Sequence, residues 1–212
     1  MSILYVSSSL EKNLEQKSSR RFYYCRNNYN SYKLNFKSIS KEYFIIISRI
    51  IHPENIISLK LFDDDYTPGQ IKSFIKNFQL NKLNRLKYLK LIKINENDLE
   101  LILKYLINDR LNYLEIEYRQ YFTILNQSTI IILQNILAFE TLQEVILDMR
   151  SYQYDFVQWP QLTYIQYITL FNSNIYQFSQ IIEKENQFKS LRLINFTMKN
   201  FNDITFKKNH LK

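Results

Sequence analysis

Glycine occurs once in these 212 residues, cysteine once, histidine twice and proline three times. With one glycine there is no phosphate-cradling loop, because such loops bring the backbone against an anion at several positions that lack a Cβ. No G-x-S-x-G nucleophile turn is present either. Cys25 is the sole cysteine, so an internal disulfide is excluded and a reducing compartment is favoured. Without a spaced histidine it reads as a plain thiol rather than a nucleophile. His52 precedes Pro53 at a helix end, where a cation complements the dipole, and His210 lies in a basic tail. Neither has a second ligand at useful spacing, which argues against a metal site. Long apolar runs are also missing. The longest, Tyr43–Ile47 and Thr129–Leu133, fall far short of the ~20 residues of a membrane span. Ile3-Leu4-Tyr5-Val6 is too short for a signal-peptide core. These absences lead us to expect a cytoplasmic or nuclear chain with no membrane segment and no resident cofactor or metal.

What is abundant is apolar and aromatic. Hydrophobic residues make up 46% and charged residues 23%, which is globular rather than disordered composition. The net charge of +8 raises the question of nucleic acid, and its distribution answers it. Residues 1–52 hold nine Lys/Arg against three acids, and residues 199–212 hold four against one. Residues 53–198 are nearly neutral, with fifteen basic against sixteen acidic residues. Phosphate binding needs basic side chains gathered on one surface, so charge confined to the two ends is a weak form of that signal. The sequons at Asn126 and Asn195 carry no weight in a chain this rich in asparagine.

Leu86-Lys87-Tyr88-Leu89-Lys90-Leu91 has the form LxxLxL, and the form recurs. Ile56-Leu59-Leu61 precedes it. Leu111-Leu114-Ile116, Leu142-Val145-Leu147, Ile165-Ile168-Leu170 and Phe188-Leu191-Leu193 follow. The middle residues are spaced by 30, 25, 31, 23 and 23, periods that mark leucine-rich repeats, each a short strand followed by a helix or turn. Helical patterns lie between the strands. Ser40 can cap a helix through Ile51 with Phe44, Ile47 and Ile51 on one face, and His52-Pro53 ends it. Thr67-Pro68 reads as a helix start, with Ile71, Phe74, Ile75 and Phe78 as its buried stripe. Asn95 or Asn97 can cap the next, with Leu99, Ile102, Leu103 and Leu106 inside. Ser128 opens a helix containing Leu133, Ile136 and Leu137. A last helix lies around Ile175, Phe178 and Ile182. Tyr32–Phe36 alternates as a first, degenerate strand, and residues 148–161 break the pattern.

Strand–helix alternation with short connections implies parallel strands in one sheet with helices on its other side. The expected fold is α/β, an open right-handed leucine-rich-repeat solenoid of about six ribonuclease-inhibitor-like strand–helix repeats. Its parallel sheet lines the concave face of a horseshoe and its helices the convex face. Residues 1–30 form an irregular basic lead-in, 31–198 the solenoid and 199–212 a basic tail.

The run Ile56–Ile71, with its Asp63-Asp64-Asp65 turn into Thr67-Pro68-Gly69-Gln70, together with Leu86-Lys87-Tyr88-Leu89 and Trp159-Pro160, resembles the F-box/leucine-rich-repeat proteins expanded in rotifers and similar small invertebrates. The similarity spans roughly residues 34–198. It implies repeats that hold substrates for a cullin-type ubiquitin ligase. Residues 1–33 contain no LPxEIxxxI-like stretch, so the family's adaptor-docking role does not carry over. The regular repeat asparagine is missing as well: two residues after the last leucine of the pattern stand Lys93, Tyr118 and Met149.

Asp63-Asp64-Asp65 lacks the alternating ligands, glycine and distal Glu of a calcium loop, and reads as a solvated turn near a helix N-terminus. The concave face remains as the candidate site. If Leu59, Leu61 and their equivalents point inward, their neighbours point to solvent. These are Ser58, Lys60 and Phe62; Tyr88, Lys90 and Ile92; Tyr113, Glu115 and Glu117; Glu144, Ile146 and Asp148; Tyr167, Thr169 and Phe171; Ser190, Arg192 and Ile194. Aromatics and Arg favour protein-binding hot spots. We therefore single out Tyr88, Lys90, Tyr113, Glu115, Glu117, Glu144, Tyr167, Thr169 and Arg192 as protein-binding residues, with Tyr88, Tyr113 and Tyr167 as anchors and Glu115 and Glu144 setting the partner's charge. The expected function is a non-enzymatic protein-interaction scaffold, of the kind that reads substrates for an F-box ligase. The alternative is a nucleic-acid or ribonucleoprotein binder using the basic ends.

Overall fold

Alternation along the strands and i, i+3, i+4 spacing along the helices place one apolar face of each element against the other. The computed structural model describes residues 25–27, 31–37, 39–63, 65, 68–106, 110–119, 125–149, 159, 164–173, 175–183 and 189–194. The elements run β1 (Cys25–Asn27), β2 (Ser31–Asn35), α1 (Lys41–Ile50), β3 (Ile56–Phe62), α2 (Gln70–Asn77), β4 (Tyr88–Ile94), α3 (Glu96–Tyr105), β5 (Tyr113–Tyr118), α4 (Gln127–Leu137), β6 (Glu144–Asp148), β7 (Tyr167–Phe171), α5 (Ile175–Glu183) and β8 (Ser190–Ile194). Short 3-10 turns occupy Pro53–Asn55 and Leu80–Lys82. The eight strands form one sheet in sequence order. β2 through β8 are parallel, and β1 lies antiparallel on β2 at the edge. The fold is thus α/β, a parallel sheet whose successive strands neighbour one another, with helices connecting consecutive strands from β2 to β6 and from β7 to β8.

The LxxLxL positions are the sheet's contribution to the core. Ile56, Leu59 and Leu61, Leu86, Leu89 and Leu91, Leu111, Leu114 and Ile116, Leu142, Val145 and Leu147, and Ile165, Ile168 and Leu170 are all buried. They form a single cluster with Ile71, Phe74, Leu99, Ile102, Leu103, Leu133, Ile136 and Leu137 from the helices. At the first repeats the cluster is aromatic. Phe36 and Phe44 lie 4.8 Å apart, Phe74 stacks on Phe78 at 4.3 Å, and Phe36–Phe74 and Phe44–Phe78 contacts at 6.1 Å tie β2, α1 and α2 together. At the other end Leu191 and Leu193 on the edge strand are only partly buried. Backbone bonds repeat with the strands: the carbonyls of Lys87, Asn112, Gln143 and Gln166 each accept two N–H groups from the following strand.

Several local expectations are corrected. The lead-in contributes β1, three residues that are too short to show periodicity. The helix expected from Thr67-Pro68 begins at Gln70, because Gly69 at φ 73° closes the preceding turn in the left-handed region that favours glycine. Asp63 is not solvated. It is 4% exposed, accepts the Gly69 N–H and meets Arg119 at 3.3 Å, so it fastens the end of β3 to the end of β5. Gln70 adds a second fastening, accepting the Phe62 N–H at 3.2 Å and donating to the Phe36 carbonyl at 2.7 Å. Ser40 and Asn95 cap their helices as expected, but α4 is capped by Asn126 rather than Ser128. Asn126 Oδ1 accepts the Thr129 N–H at 2.7 Å, while Ser128 Oγ turns to Glu100 at 2.7 Å. Among the described side chains of α5, Ile181 is buried and Ile182 faces outward.

At the register of the missing asparagine, Tyr118 and Met149 are fully buried. Lys93 instead takes φ 56°, which shifts the register between Ile92 and Ile94 and puts Ile94 into the inward place opposite Tyr118. Asn172 at φ 55° stands before a fully buried Ser173 in the same way. Of the stretch 148–161, Asp148, Met149 and a buried Trp159 are described; the irregular connection, Phe188, the side chains of Ile175 and Phe178, and the whole tail 199–212 lie outside the described residues.

Candidate interaction face

Each parallel pairing keeps like positions abreast, so the outward residues of the strands line up across the sheet. One row runs Lys33, Ser58, Tyr88, Tyr113, Glu144, Tyr167, Ser190. The next runs Asn35, Lys60, Lys90, Glu115, Ile146, Thr169, Arg192. A third runs Phe62, Ile92, Glu117, Asp148, Phe171, Ile194. Helices cover the opposite face, which leaves these rows as an open one.

An open groove of about 670 Å³ lies on the β2–β6 half of this face. Its floor includes Leu34, Leu59 and Leu89, and its polar lining includes Lys33, Ser58, Lys60, Tyr88, Lys90, Tyr113, Glu115 and Glu144. At its centre the residues satisfy one another. Lys90 Nζ meets Glu115 Oε1 at 2.6 Å, the Tyr113 hydroxyl donates to Glu115 Oε2 at 2.5 Å, and the Tyr88 and Tyr113 rings lie 6.2 Å apart. Burial, then the bond to the Glu115 carboxylate, pushes the Tyr113 phenol well above its ordinary value. A charge-assisted bond of this length fixes the ring, because donor and acceptor are both held at part-buried positions.

Charge is segregated on either side of that centre. Lys33 and Lys60 lie toward β2, and both are exposed. Glu144, Glu117 and Asp148 lie toward β6. Glu117 and Asp148 are register neighbours, and burial followed by the nearby Asp148 charge raises the Glu117 carboxyl above its ordinary range, with Lys93 and Lys90 opposing. Asn172 donates to Asp148 Oδ1 at 2.9 Å. Among the described residues, Lys33, Lys60, Glu117 and Glu144 take part in no ion pair.

The groove therefore brings together Tyr88, Lys90, Tyr113, Glu115 and Glu144 of the residues singled out from sequence. Glu117 sits one row along, and Tyr167, Thr169 and Arg192 continue the face toward β8, outside the groove. Tyr88 and Tyr167 are 47% and 42% exposed, whereas Tyr113 is half-buried and shows only part of its ring. Glu115 is committed to Lys90 and Tyr113 and is not free to set a partner's charge.

Three outward positions are in fact buried. Phe62 and Ile92 stand side by side in the third row, and Lys37 lies over the Phe62 ring at 5.9 Å. Ser58 is shielded between the longer Lys33 and Tyr88. Lys33 and Asn35 were absent from the sequence-derived site. The alternation that turns Tyr32, Leu34 and Phe36 inward already pointed to them.

A second polar cluster joins the helices. Glu100 receives hydrogen bonds from Ser128 and Asn126, which hold its carboxyl below the usual range, and Glu96 accepts the Asn126 N–H. These bonds dock the start of α4 on α3. Among the described residues no group of three His, Cys, Asp or Glu could hold a metal ion, and no helix is long and apolar enough to cross a membrane. No family model matches this chain, and no curated protein or solved structure matches it.

Proposed function

We propose that the chain is a leucine-rich-repeat solenoid and acts as a non-catalytic protein-interaction scaffold, like the substrate-holding repeats of the F-box proteins it resembles. The observation that carries this reading is the open face itself. Side chains from consecutive parallel strands stand abreast around a groove, with exposed Tyr88 and Tyr167 rings and charges that have no partner within the face. Rigid aromatic area costs little side-chain entropy on binding, and unpaired charges at the rim steer a complementary partner. In a solenoid this face is the concave one. The carboxylates of Glu117, Glu144 and Asp148 repel phosphate, so nucleic acid is the poorer fit to this face.

The test uses the intact chain as bait in extract. Bound proteins are compared for the wild type, for Tyr88→Ala plus Tyr167→Ala, and for Leu101→Ser plus Ile131→Ser, which alters exposed helix positions. We expect a stoichiometric partner that is lost with the first pair of substitutions and kept with the second. The opposite pattern overturns the reading. So does capture of RNA alone with steep loss of binding on adding salt.

A further inference from the structure

We propose that the groove reads an extended protein segment carrying an acidic side chain, a flat side chain and a basic side chain at alternate positions i, i+2 and i+4. The proposal rests on the open face being a protein-binding surface and adds the chemistry of what it binds. Its basis is the row Ser58, Tyr88, Tyr113, Glu144, which crosses β3 to β6. At the β3 end Ser58 has Lys33 beside it on β2 and lies next to Lys60 on its own strand, so two exposed ammonium groups flank one position. In the middle the Tyr88 and Tyr113 rings form a surface with centroids 6.2 Å apart, and Tyr113 is held by Glu115. At the β6 end stands the Glu144 carboxylate. All seven residues line the same groove.

The spacing selects the segment. Strands are ~4.8 Å apart, so Ser58 and Glu144, three strands from each other, are separated by about 14 Å, and the midpoint of the tyrosine pair lies about 7 Å from either. An extended chain advances ~3.3 Å per residue, which puts same-side side chains every ~6.6 Å and spans about 13 Å over four residues. An Asp or Glu over Ser58, a Trp, Tyr or Arg plane over the tyrosines and a Lys or Arg over Glu144 therefore fall into place together. A helix would need the wider spacing i, i+4 and i+8 to cover about 12 Å, so the residue spacing of the bound segment distinguishes the two forms. The charge at the centre is already neutralised by the 2.6 Å Lys90–Glu115 pair, so the two ends, not the middle, discriminate sign. A uniformly acidic or uniformly basic segment satisfies one end and is repelled at the other.

Four labelled peptides of the form Ser-X-Ser-Trp-Ser-Z-Ser, with X and Z being Glu/Arg, Glu/Glu, Arg/Arg or Ser/Ser, are titrated against the whole chain by fluorescence anisotropy. The Glu/Arg peptide is expected to bind about 5- to 30-fold more tightly than either like-charged one at low salt, the effect of one partly exposed ion pair gained and one repulsion removed, with the preference collapsing in 0.5 M salt. Lys33→Glu plus Lys60→Glu should transfer the preference to Arg/Arg, and Glu144→Lys should transfer it to Glu/Glu. These positions are at the surface, and matched circular dichroism confirms that the variants fold. If all four peptides bind alike, or the preferences do not transfer, the charge-reading proposal is wrong even where Tyr88→Ala plus Tyr167→Ala abolishes capture of the extract partner. If no peptide binds and that capture is also insensitive to the tyrosines, the binding face itself is misassigned. A sedimenting dimer that the lysine reversal dissolves would instead make a second copy of the chain the occupant.

Discussion

Leu89→Asp and Tyr88→Asp, one residue apart, test the register on which the open face depends. Leu89 is 0% exposed, between Leu59 and Leu114, and Tyr88 is 47% exposed on the other side of the sheet. Replacing the leucine removes about 2–3 kcal/mol of buried apolar contact. The introduced carboxyl has no partner in that core, so it stays protonated. Holding it neutral at pH 7 against an unfolded pKa near 3.9 costs about 4 kcal/mol more. The total of about 6–7 kcal/mol stands against a whole-domain stability of roughly 5–15. At Tyr88 the loss is the ring contact with Tyr113, about 0.5–1 kcal/mol. The folded-state pKa of the introduced carboxyl is raised, so its penalty is absent below about pH 4 and grows as pH rises above it. Urea melts followed by circular dichroism at pH 4 and pH 7, each referenced to the wild type at the same pH, separate the two components, with Leu89→Asn as the non-titrating control. Leu89→Asp should lose about 4 kcal/mol more at pH 7 than at pH 4, and Leu89→Asn should show no such difference. Equal midpoints for the Leu89 and Tyr88 variants, or a pH-independent Leu89→Asp penalty, would refute the inward assignment.

Gln70→Leu should destabilise by about 2–4 kcal/mol in the same melts, because it strands the Phe62 N–H and the Phe36 carbonyl in buried surroundings; a change under about 0.5 kcal/mol would show that water replaces the amide. Glu117→Gln acts through a carboxyl whose folded pKa is raised, so the ionised form is the disfavoured one. The variant should be the more stable by about 0.5 kcal/mol near pH 7, with the gain vanishing below about pH 4, and a loss of stability at neutral pH would show that Glu117 is held by a cation instead.

Periodicity alone determined the strands from β2 to β8 and which of their residues point inward. A parallel strand that buries one face needs apolar residues at every second position, and the LxxLxL blocks supply them, so the pattern by itself places Leu59, Leu89, Leu114, Val145 and Ile168 inward. Helix faces were legible for the same reason, as at Leu99, Ile102, Leu103 and Leu106. What period cannot express is a contact between residues far apart in the chain. Asp63 looked like one of three solvated acids until Arg119, 56 residues away, and the Gly69 N–H were brought to it. Gln70 gained its meaning from Phe36, 34 residues away. Local backbone geometry was equally hidden: Gly69 at φ 73° delays a helix, and Lys93 at φ 56° slips a strand by one residue. The outward rows could be written down from alternation, but not their state. The pairing of Lys90 with Glu115 and the capture of Tyr113 depend on the exact strand neighbour, as do the burial of Phe62 beside Ile92 and the unpaired Lys33, Lys60 and Glu144. A strand's neighbour is a property of the sheet, decided by which helix folds back over which edge, and only the tertiary structure holds it.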